Sequence, residues 1–415
     1  MSRHLPALVC LLLAACHDPL PLEEDAPRTR RDAACMAPED CFGPPRSIIE
    51  RDLPAVFTVT DMATTGHEAC LIGVLGEALP ALAGSMHGDV LLHCESRAAV
   101  TRERTWRCAP GERAPQVAFH ADGDAIVALQ ACGPGGTAQI ERLNAALETV
   151  ASATTTLPIL RDIAVGTSLV ALAGGAPAVT LIDEEKAHGA VVDFFAYPSL
   201  VRMGITSDST QRATFDESIG LQRVAVNAAD ATLVFGTGFA YGRFERTGIG
   251  VGFASVLPTP FAEAETLPQV GEWLGFDGAL WAEGIRPVAF GHRFQTPGPS
   301  GLAYPSVVSV ASEGLPGDVN ARCAGRAHGV TSRGDDVIFT CGFAFEEYYA
   351  GAQYLGGALG LVLVAVGRDV DVARWAFQLP EGRDNLRLGT LTGGSIVMYS
   401  TDLEGAERGH LSFIR

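Results

Sequence analysis

The chain has 415 residues, of which 47% are hydrophobic, and a formal net charge of −18. This hydrophobic content is ordinary for a folded protein, so general disorder is not expected, and the length suits two or three average domains or one large all-β domain. The acidic surface repels phosphate groups, so nucleic acid is not expected as a partner. Lys186 is the only lysine and lies in a polar turn with no glycine loop before it, which argues against P-loop phosphate binding and Schiff-base catalysis.

The N-terminus carries the pattern of a secretory signal: Arg3, an apolar run over residues 5–15, and small residues before Cys16. Residues 13–16, Leu-Ala-Ala-Cys, resemble the lipobox of bacterial lipoproteins. The resemblance covers only these first 16 residues and implies cleavage before Cys16, a diacylglyceryl thioether on its sulfur and acylation of the new amine. The alternatives are an ordinary signal peptide or a transmembrane anchor, and the apolar run argues against the anchor because it is shorter than the ~20 residues that span a bilayer.

The expected lipid attachment site, Cys16, fixes the predicted domain organisation and location. Residues 1–15 are the signal peptide, and residues 16–50 are rich in proline and acidic residues and form a tether. Residues 51–415 form the folded domain. The membrane is then a partner through acyl chains, each contributing roughly 0.8 kcal/mol per buried CH2. The expected location is the cell envelope, with the outer membrane preferred.

Ten cysteines are present, and export favours disulfides between those that remain after the signal and Cys16 are set aside. No C-x-x-C pair occurs, so zinc is not expected. Cys94 and Cys108 flank a polar turn symmetric about Thr101, which predicts that they face each other across a hairpin. The other candidate pairs are Cys35 with Cys41, Cys323 with Cys341, and Cys70 with Cys132.

A short apolar strand, a tight turn and a second apolar strand recur along the folded region. Such turns favour glycine, asparagine and aspartate because these residues adopt positive φ at low cost. Six steps separate the seven turn markers and average about 51 residues. The turn markers are Gly88, Gly123, Gly166, Ala229, Gly278, Gly334 and Gly394. Only residues 138–150 have a pattern compatible with a helix.

Repeats of this length built from short strands are typical of β-propellers, whose blades are four-stranded sheets. Residues 163–183 resemble one blade of the bacterial surface-propeller type. The predicted fold is therefore an all-β propeller with seven blades, and the alternative is a tandem pair of β-sandwiches. Residues 410–414 are expected to be a closing strand that pairs with an N-terminal strand near residues 56–59.

No catalytic motif, cofactor fingerprint or metal-binding pattern stands out in the sequence. The acidic pair Asp122 and Asp124 is explained as a hairpin tip, and His87 and His93 as surface or core groups. Residues 343–354 are rich in aromatic and acidic side chains, which suits either packing between blades or binding of a glycan or peptide. The prediction is a binding or interaction scaffold with an envelope protein or glycan as partner; the alternative is an exported hydrolase or lyase working at the channel mouth.

Overall fold

The structure is a computed structural model of the chain. The structure describes residues 45, 47–54, 57–76, 88–109, 115–133, 137–155, 157, 159–175, 191–207, 220–239, 250–257, 265–266, 273–282, 286–294, 303–309, 317–319, 329–334, 336–343, 347–349, 352–354, 360–366, 373–380, 382–402 and 408–415. Cys16 and the predicted signal peptide lie outside these residues. Within the described ranges, no helix has the length and hydropathy needed to cross a membrane.

Thirty strands make up the described part of the chain, and none of its residues lies in a helix. In chain order the strands are β1 (Ile48–Asp52), β2 (Phe57–Thr64), β3 (Glu68–Leu75), β4 (Asp89–Ser96), β5 (Thr101–Trp106), β6 (Gln116–Phe119), β7 (Ala125–Leu129), β8 (Gln139–Leu143), β9 (Thr149–Thr154), β10 (Ile159–Val165), β11 (Leu169–Gly175), β12 (Val191–Ala196), β13 (Val201–Ser207), β14 (Gly220–Val226), β15 (Thr232–Phe239), β16 (Gly250–Leu257), β17 (Glu265–Thr266), β18 (Trp273–Ala282), β19 (Arg286–Phe294), β20 (Ala303–Ser309), β21 (Gly317–Val319), β22 (Val330–Arg333), β23 (Asp336–Phe343), β24 (Glu347–Tyr349), β25 (Ala352–Tyr354), β26 (Gly360–Val366), β27 (Ala373–Gln378), β28 (Arg383–Thr390), β29 (Ile396–Asp402) and β30 (Gly409–Ile414).

These strands form seven four-stranded antiparallel sheets and one two-stranded hairpin among the described residues. We number the sheets 1 to 7 along the chain. Sheets 1 to 5 each use four consecutive strands, from β2–β5 to β18–β21. Sheet 6 is β22-β23-β26-β27, with the β24–β25 hairpin inserted between its second and third strands. Sheet 7 is β28-β29-β30-β1, so its outermost strand comes from the beginning of the chain.

The first strands of successive sheets contact one another in a continuous series. Contacts run from β2 to β6, β10, β14, β18, β22 and β28, and then return from β28 to β2. Hydrophobic clusters fill the spaces between sheets 1 and 2, 2 and 3, 3 and 4, 6 and 7, and 7 and 1. This is the strand pattern of a β-propeller, in which four-stranded sheets surround a central channel.

The N-terminal strand β1 completes sheet 7 by pairing with β30, from Ile48 opposite Ile414 to Asp52 opposite His410. The predicted pairing of the closing strand with residues 56–59 is wrong, because Phe57 and the residues after it belong to β2 at the inner edge of sheet 1. The closing strand β30 does pair with an N-terminal strand, but that partner is β1, which precedes β2 and begins within the last residues of the predicted tether.

Arg51 ties strand β1 to sheet 1. Its guanidinium donates to the Glu95 carboxylate and to the backbone carbonyl oxygens of Ser96 and Arg97, and the Ser96 distance is 2.8 Å. The guanidinium carbon also lies 5.0 Å from the ring centroid of Phe413. Strand pairing within sheet 7 and charge-assisted contacts to sheet 1 therefore hold β1 in place.

Five of the seven predicted turns join the first strand of a sheet to its second strand. Gly123, Gly166, Ala229, Gly334 and Gly394 lie in or beside these connections. The Gly123 backbone has φ of +96°, a conformation that side-chain-bearing residues rarely adopt.

The other two predicted turns and the predicted helix differ from the structure. Gly88 precedes β4, the third strand of sheet 1. The turn expected at Gly278 is wrong, because this residue lies inside β18 beside a register shift. The helix expected over residues 138–150 is also wrong: β8 and β9 occupy this stretch, and the Asn144 side chain accepts hydrogen bonds from the turn between them.

Two disulfides correct the predicted pairing. Cys70 lies directly opposite Cys94 on neighbouring strands and is bonded to it, and Cys108 is bonded to Cys132. The predicted Cys94–Cys108 and Cys70–Cys132 pairs are therefore wrong. Thr101 is not the centre of a turn but the first residue of β5, so Cys94 faces Arg102 instead of Cys108.

The remaining disulfide candidates cannot be placed against one another within the described part of the chain. Cys35, Cys41 and Cys323 lie outside the described residues. The backbone of Cys341 lies in β23, opposite Val362 of β26.

Candidate ligand-binding channel

A cavity of about 510 Å³ lies where the first strands of the sheets meet. Its wall includes residues from β2, β6, β10, β14, β18, β22 and β28, or from positions beside them. Such a volume is within the range of small-molecule sites in proteins. Five charged residues line the described cavity: Asp61, Arg161, Asp162, Arg223 and Arg387.

A recurring irregularity of the first strands positions these charged residues. The pairing register shifts next to Asp61 in β2, Asp162 in β10, Arg223 in β14 and Arg387 in β28. A bulge of this kind bends a strand and redirects a side chain, and bulges are frequent beside functional sites. The shifts therefore bring four charged side chains to corresponding positions around the channel.

Asp61 and Asp162 make the same pair of hydrogen bonds in two different sheets. One oxygen of each carboxylate accepts from the next residue's backbone N–H, Met62 at 2.8 Å and Ile163 at 3.0 Å. The other oxygen accepts from the first strand of the following sheet. That donor is the N–H of Val117 for Asp61 and the N–H of Val224 for Asp162, both at 2.9 Å.

Burial dominates the ionisation of these two carboxyl groups. It raises the pKa of Asp162 to about 7, and the Asp61 charge adds to this rise while Arg223 and the backbone donors oppose it. Burial also raises the pKa of Asp61, against the opposing effect of its backbone donors and of Arg387 and Arg223. The channel thus holds a carboxyl group that gains or loses its proton near neutral pH.

Trp281 adds an aromatic ring to the wall and serves as a natural reporter. The side chain is partly exposed, and its indole N–H donates to the carbonyl oxygen of Ala225 at 3.1 Å. The chain has four tryptophans, and Trp281 is the one that lines the described cavity. The channel therefore combines charged and aromatic groups, as ligand sites often do.

Of the histidines and aromatic residues that the sequence analysis considered, only His93 has a described side chain, and it does not line this cavity. His93 is buried in β4, where its Nδ1 lies 2.8 Å from Glu103 and its Nε2 lies 3.4 Å from Glu95, so it is a paired core group. His87 lies outside the described residues. The aromatic-rich stretch contributes the β24–β25 hairpin, which contacts β27 of sheet 6.

A second polar cluster links the turns of sheets 2 and 3. The Tyr197 hydroxyl donates to Asp122, and its ring stacks on His120 with centroids 3.8 Å apart. The Arg142 guanidinium lies over the Tyr197 ring, and its Nε is 3.5 Å from Asp124. The hairpin tip at Asp122 and Asp124 therefore joins sheets 2 and 3 through a network of polar contacts.

Sequence reasoning missed the channel residues, although a signal for them exists. Asp61-Met62-Ala63 and Asp162-Ile163-Ala164 repeat an acidic residue, a large apolar residue and alanine just before a turn. Asp162 lies shortly before the turn marker Gly166, whereas the turn that follows Asp61 carries no marker. A strand bulge leaves no clear mark in a single sequence, and the arginines at corresponding positions vary in spacing.

Comparisons with solved structures place this chain among β-propellers. The β-propeller domain of the Trilobed protease from Pyrococcus furiosus, described as having an open velcro topology, superposes with a TM-score of 0.53 at 11% identity, covering 86% of this chain and 93% of that domain. The polysaccharide lyase Uly1 gives the same TM-score at 9% identity, covering 86% of this chain and 90% of the lyase. At these identities the similarity shows the fold alone.

No family model and no curated protein matches the sequence. The class of protein is therefore defined by architecture: an all-β, propeller-like domain with a charged central cavity. The predicted all-β propeller-like fold is confirmed, whereas the count of seven blades stays a prediction.

Proposed function

We propose that this chain is an exported, lipid-anchored β-propeller that binds a small polar ligand in its central channel. The observation that carries the proposal is the 510 Å³ cavity with its charged lining at the inner edges of the sheets. In propellers, loops and inner strands surround a central channel, and the residues that line it differ from one protein to another. The fold therefore suits binding without specifying a ligand. Seven blades, one for each four-stranded sheet, are part of the proposal.

Anchoring at Cys16 is proposed from the lipobox resemblance and is compatible with the disulfides. Disulfides persist in oxidising compartments outside the cytoplasm, and the described part of the domain contains two of them. Several acyl chains on one residue give stable anchoring where one chain does not. We place the protein in the cell envelope, with the outer membrane preferred.

Replacing Cys16 by alanine is expected to abolish lipidation, because no thiol remains to carry the diacylglyceryl group. The full chain should then appear as uncleaved precursor or as released protein. Membrane fractionation and intact-mass analysis measure the outcome. Cys10→Ala is the matched control, since it lies in the same apolar run and should leave lipidation unchanged. Membrane retention of a mature Cys16→Ala protein would contradict the proposed anchor.

Binding in the channel is expected to change the fluorescence of Trp281. The probes are succinate, D-glucuronate and N-acetyl-alanine, each with a neutral counterpart: succinamide, D-glucose and N-acetyl-alaninamide. We expect at least one of the six to alter the emission of the full, detergent-solubilised protein in a saturable manner. The change should disappear in Trp281→Phe and persist in Trp375→Phe, whose ring is buried away from the cavity. No saturable change, or one that survives Trp281→Phe, would refute a ligand channel.

A hydrolase or lyase is the second candidate function, and one observation favours it. Asp61 and Asp162 converge on one channel with raised pKa values, as acid–base groups do in active sites. Each carboxylate, however, accepts one backbone hydrogen bond from its own strand and one from the first strand of the next sheet, so it joins two sheets. This structural role accounts for their positions, so binding is the leading proposal.

A further inference from the structure

Arg161 differs from the other charged residues of the channel. It lies at the register shift of β10, its side chain is exposed, and it lines the cavity. Within the described ranges, its guanidinium has neither a hydrogen bond nor an ion pair, whereas its backbone carbonyl oxygen accepts from Arg223 at 3.3 Å. A guanidinium offers five N–H donors in a planar fork that matches a carboxylate.

The cavity carries positive charge in a strongly acidic protein. Among the described residues, three arginines and two aspartates line it, so the charge of this described lining is positive even when both carboxyl groups are ionised. The chain as a whole has a formal charge of −18. Low-dielectric walls strengthen the field inside such a channel, which favours an anion over a neutral ligand of the same shape.

We propose that the ligand bears a carboxylate, that Arg161 pairs with it, and that Asp162 takes up a proton when it binds. The inference rests on the proposed channel function and names its ligand class. The groups facing Asp162 are Arg223 from β14 and Asp61 from β2, with Arg161 beside it in β10 and Arg387 across the channel in β28. A ligand anion near these groups adds negative charge, which favours the protonated form of Asp162.

The sign of the pH dependence follows from this exchange. Below the pKa of Asp162 in the free protein, about 7, the carboxyl group is already protonated and the affinity is constant. Above it, binding requires a proton from solution, so the affinity falls by up to about tenfold for each pH unit. Between pH 6 and pH 8 the carboxylate affinity should therefore decrease by about tenfold.

The experiment is calorimetric titration of the full protein with the three carboxylates and their three neutral counterparts at pH 6 and pH 8. We expect a carboxylate to bind at least tenfold more tightly than its counterpart. Glucuronate and N-acetyl-alanine distinguish a sugar acid from a peptide carboxyl group. Arg161→Ala should weaken carboxylate binding at least tenfold, whereas Arg107→Ala, an exposed arginine outside the described cavity lining, should not.

Asp162→Asn separates proton uptake from simple attraction. This variant should bind the carboxylate with less than a twofold difference between pH 6 and pH 8, and it should take up no proton when buffers of different ionisation enthalpy are compared. The inference is overturned if Arg161→Ala binds the carboxylate as tightly as the wild type does. It is also overturned if the affinity of Asp162→Asn for the carboxylate keeps the wild-type pH dependence. If only neutral probes bind, this inference fails while the proposed binding function stands; if none of the six binds, both fail.

Discussion

Replacing Cys70 and Cys94 together by alanine is expected to lower the free energy of unfolding by about 3 kcal/mol. The bond closes a loop with a sequence separation of 24, and opening it restores conformational entropy to the unfolded chain. Both half-cystines are fully buried between sheets 1 and 2, so the loss of two sulfur atoms also removes packing. Denaturant unfolding of the full chain measures the change.

The chain offers a close control for this experiment. Cys108 and Cys132 are joined across the same sequence separation of 24, but both side chains are only partly buried. Removing this second bond should cost similar loop entropy and less packing energy, so the difference between the two double variants isolates the contribution of burial. Peptide mapping under non-reducing conditions should link Cys70 to Cys94. A peptide joining Cys94 to Cys108, or a loss below about 1 kcal/mol, would contradict the structure.

Phe195→Ala is expected to lower the free energy of unfolding by about 3–5 kcal/mol, the usual range for a fully buried phenylalanine. Phe194 and Phe195 are neighbours in β12 and are both completely buried. Their side chains leave opposite faces of sheet 3. Phe195 packs in the cluster shared with sheet 2, and Phe194 packs in the cluster shared with sheet 4.

A phenylalanine pair of this kind tests whether sheet 3 is packed on both faces. Phe194→Ala should therefore destabilise the protein in the same range as Phe195→Ala. Val201→Ala, on the neighbouring strand β13, is the control: its side chain is 63% exposed, and the change should be within about 0.5 kcal/mol. If one of the two phenylalanine variants unfolds like the control, then one face of the sheet is not packed as described.

Local patterns in the sequence were sufficient for the strands and for most of the turns. The turn residues Gly123, Gly334 and Gly394 predict the connection between the first and second strands, because all three have positive φ, which few residue types adopt at low cost. The helix predicted over residues 138–150 is wrong, although the apolar spacing there fits a helix. The stretch forms the paired strands β8 and β9, because strand formation depends on the neighbours that a segment meets in space.

Disulfide connectivity could not be predicted from local patterns either, because it depends on the register between strands. The sequence predicts oxidised cysteines from their number and from export, but connectivity depends on which residues face each other across two strands. The predicted turn centred on Thr101 would place Cys94 opposite Cys108. In the structure Thr101 begins β5, and Cys94 lies opposite Cys70. Likewise, the closing strand was expected from propeller architecture, yet only the sheet order identifies β1 as its partner.

The sequence by itself determined the class of architecture: short strands, tight turns and a repeat of about 51 residues leave few alternatives to stacked or radial sheets. Only the tertiary structure decided the site. Asp61, Asp162, Arg223 and Arg387 are far apart in the chain and lie in four different sheets, and they meet because each follows a register shift at the inner edge of its sheet. The tertiary structure also sets the pKa values of Asp61 and Asp162, because their burial exists only in the folded chain.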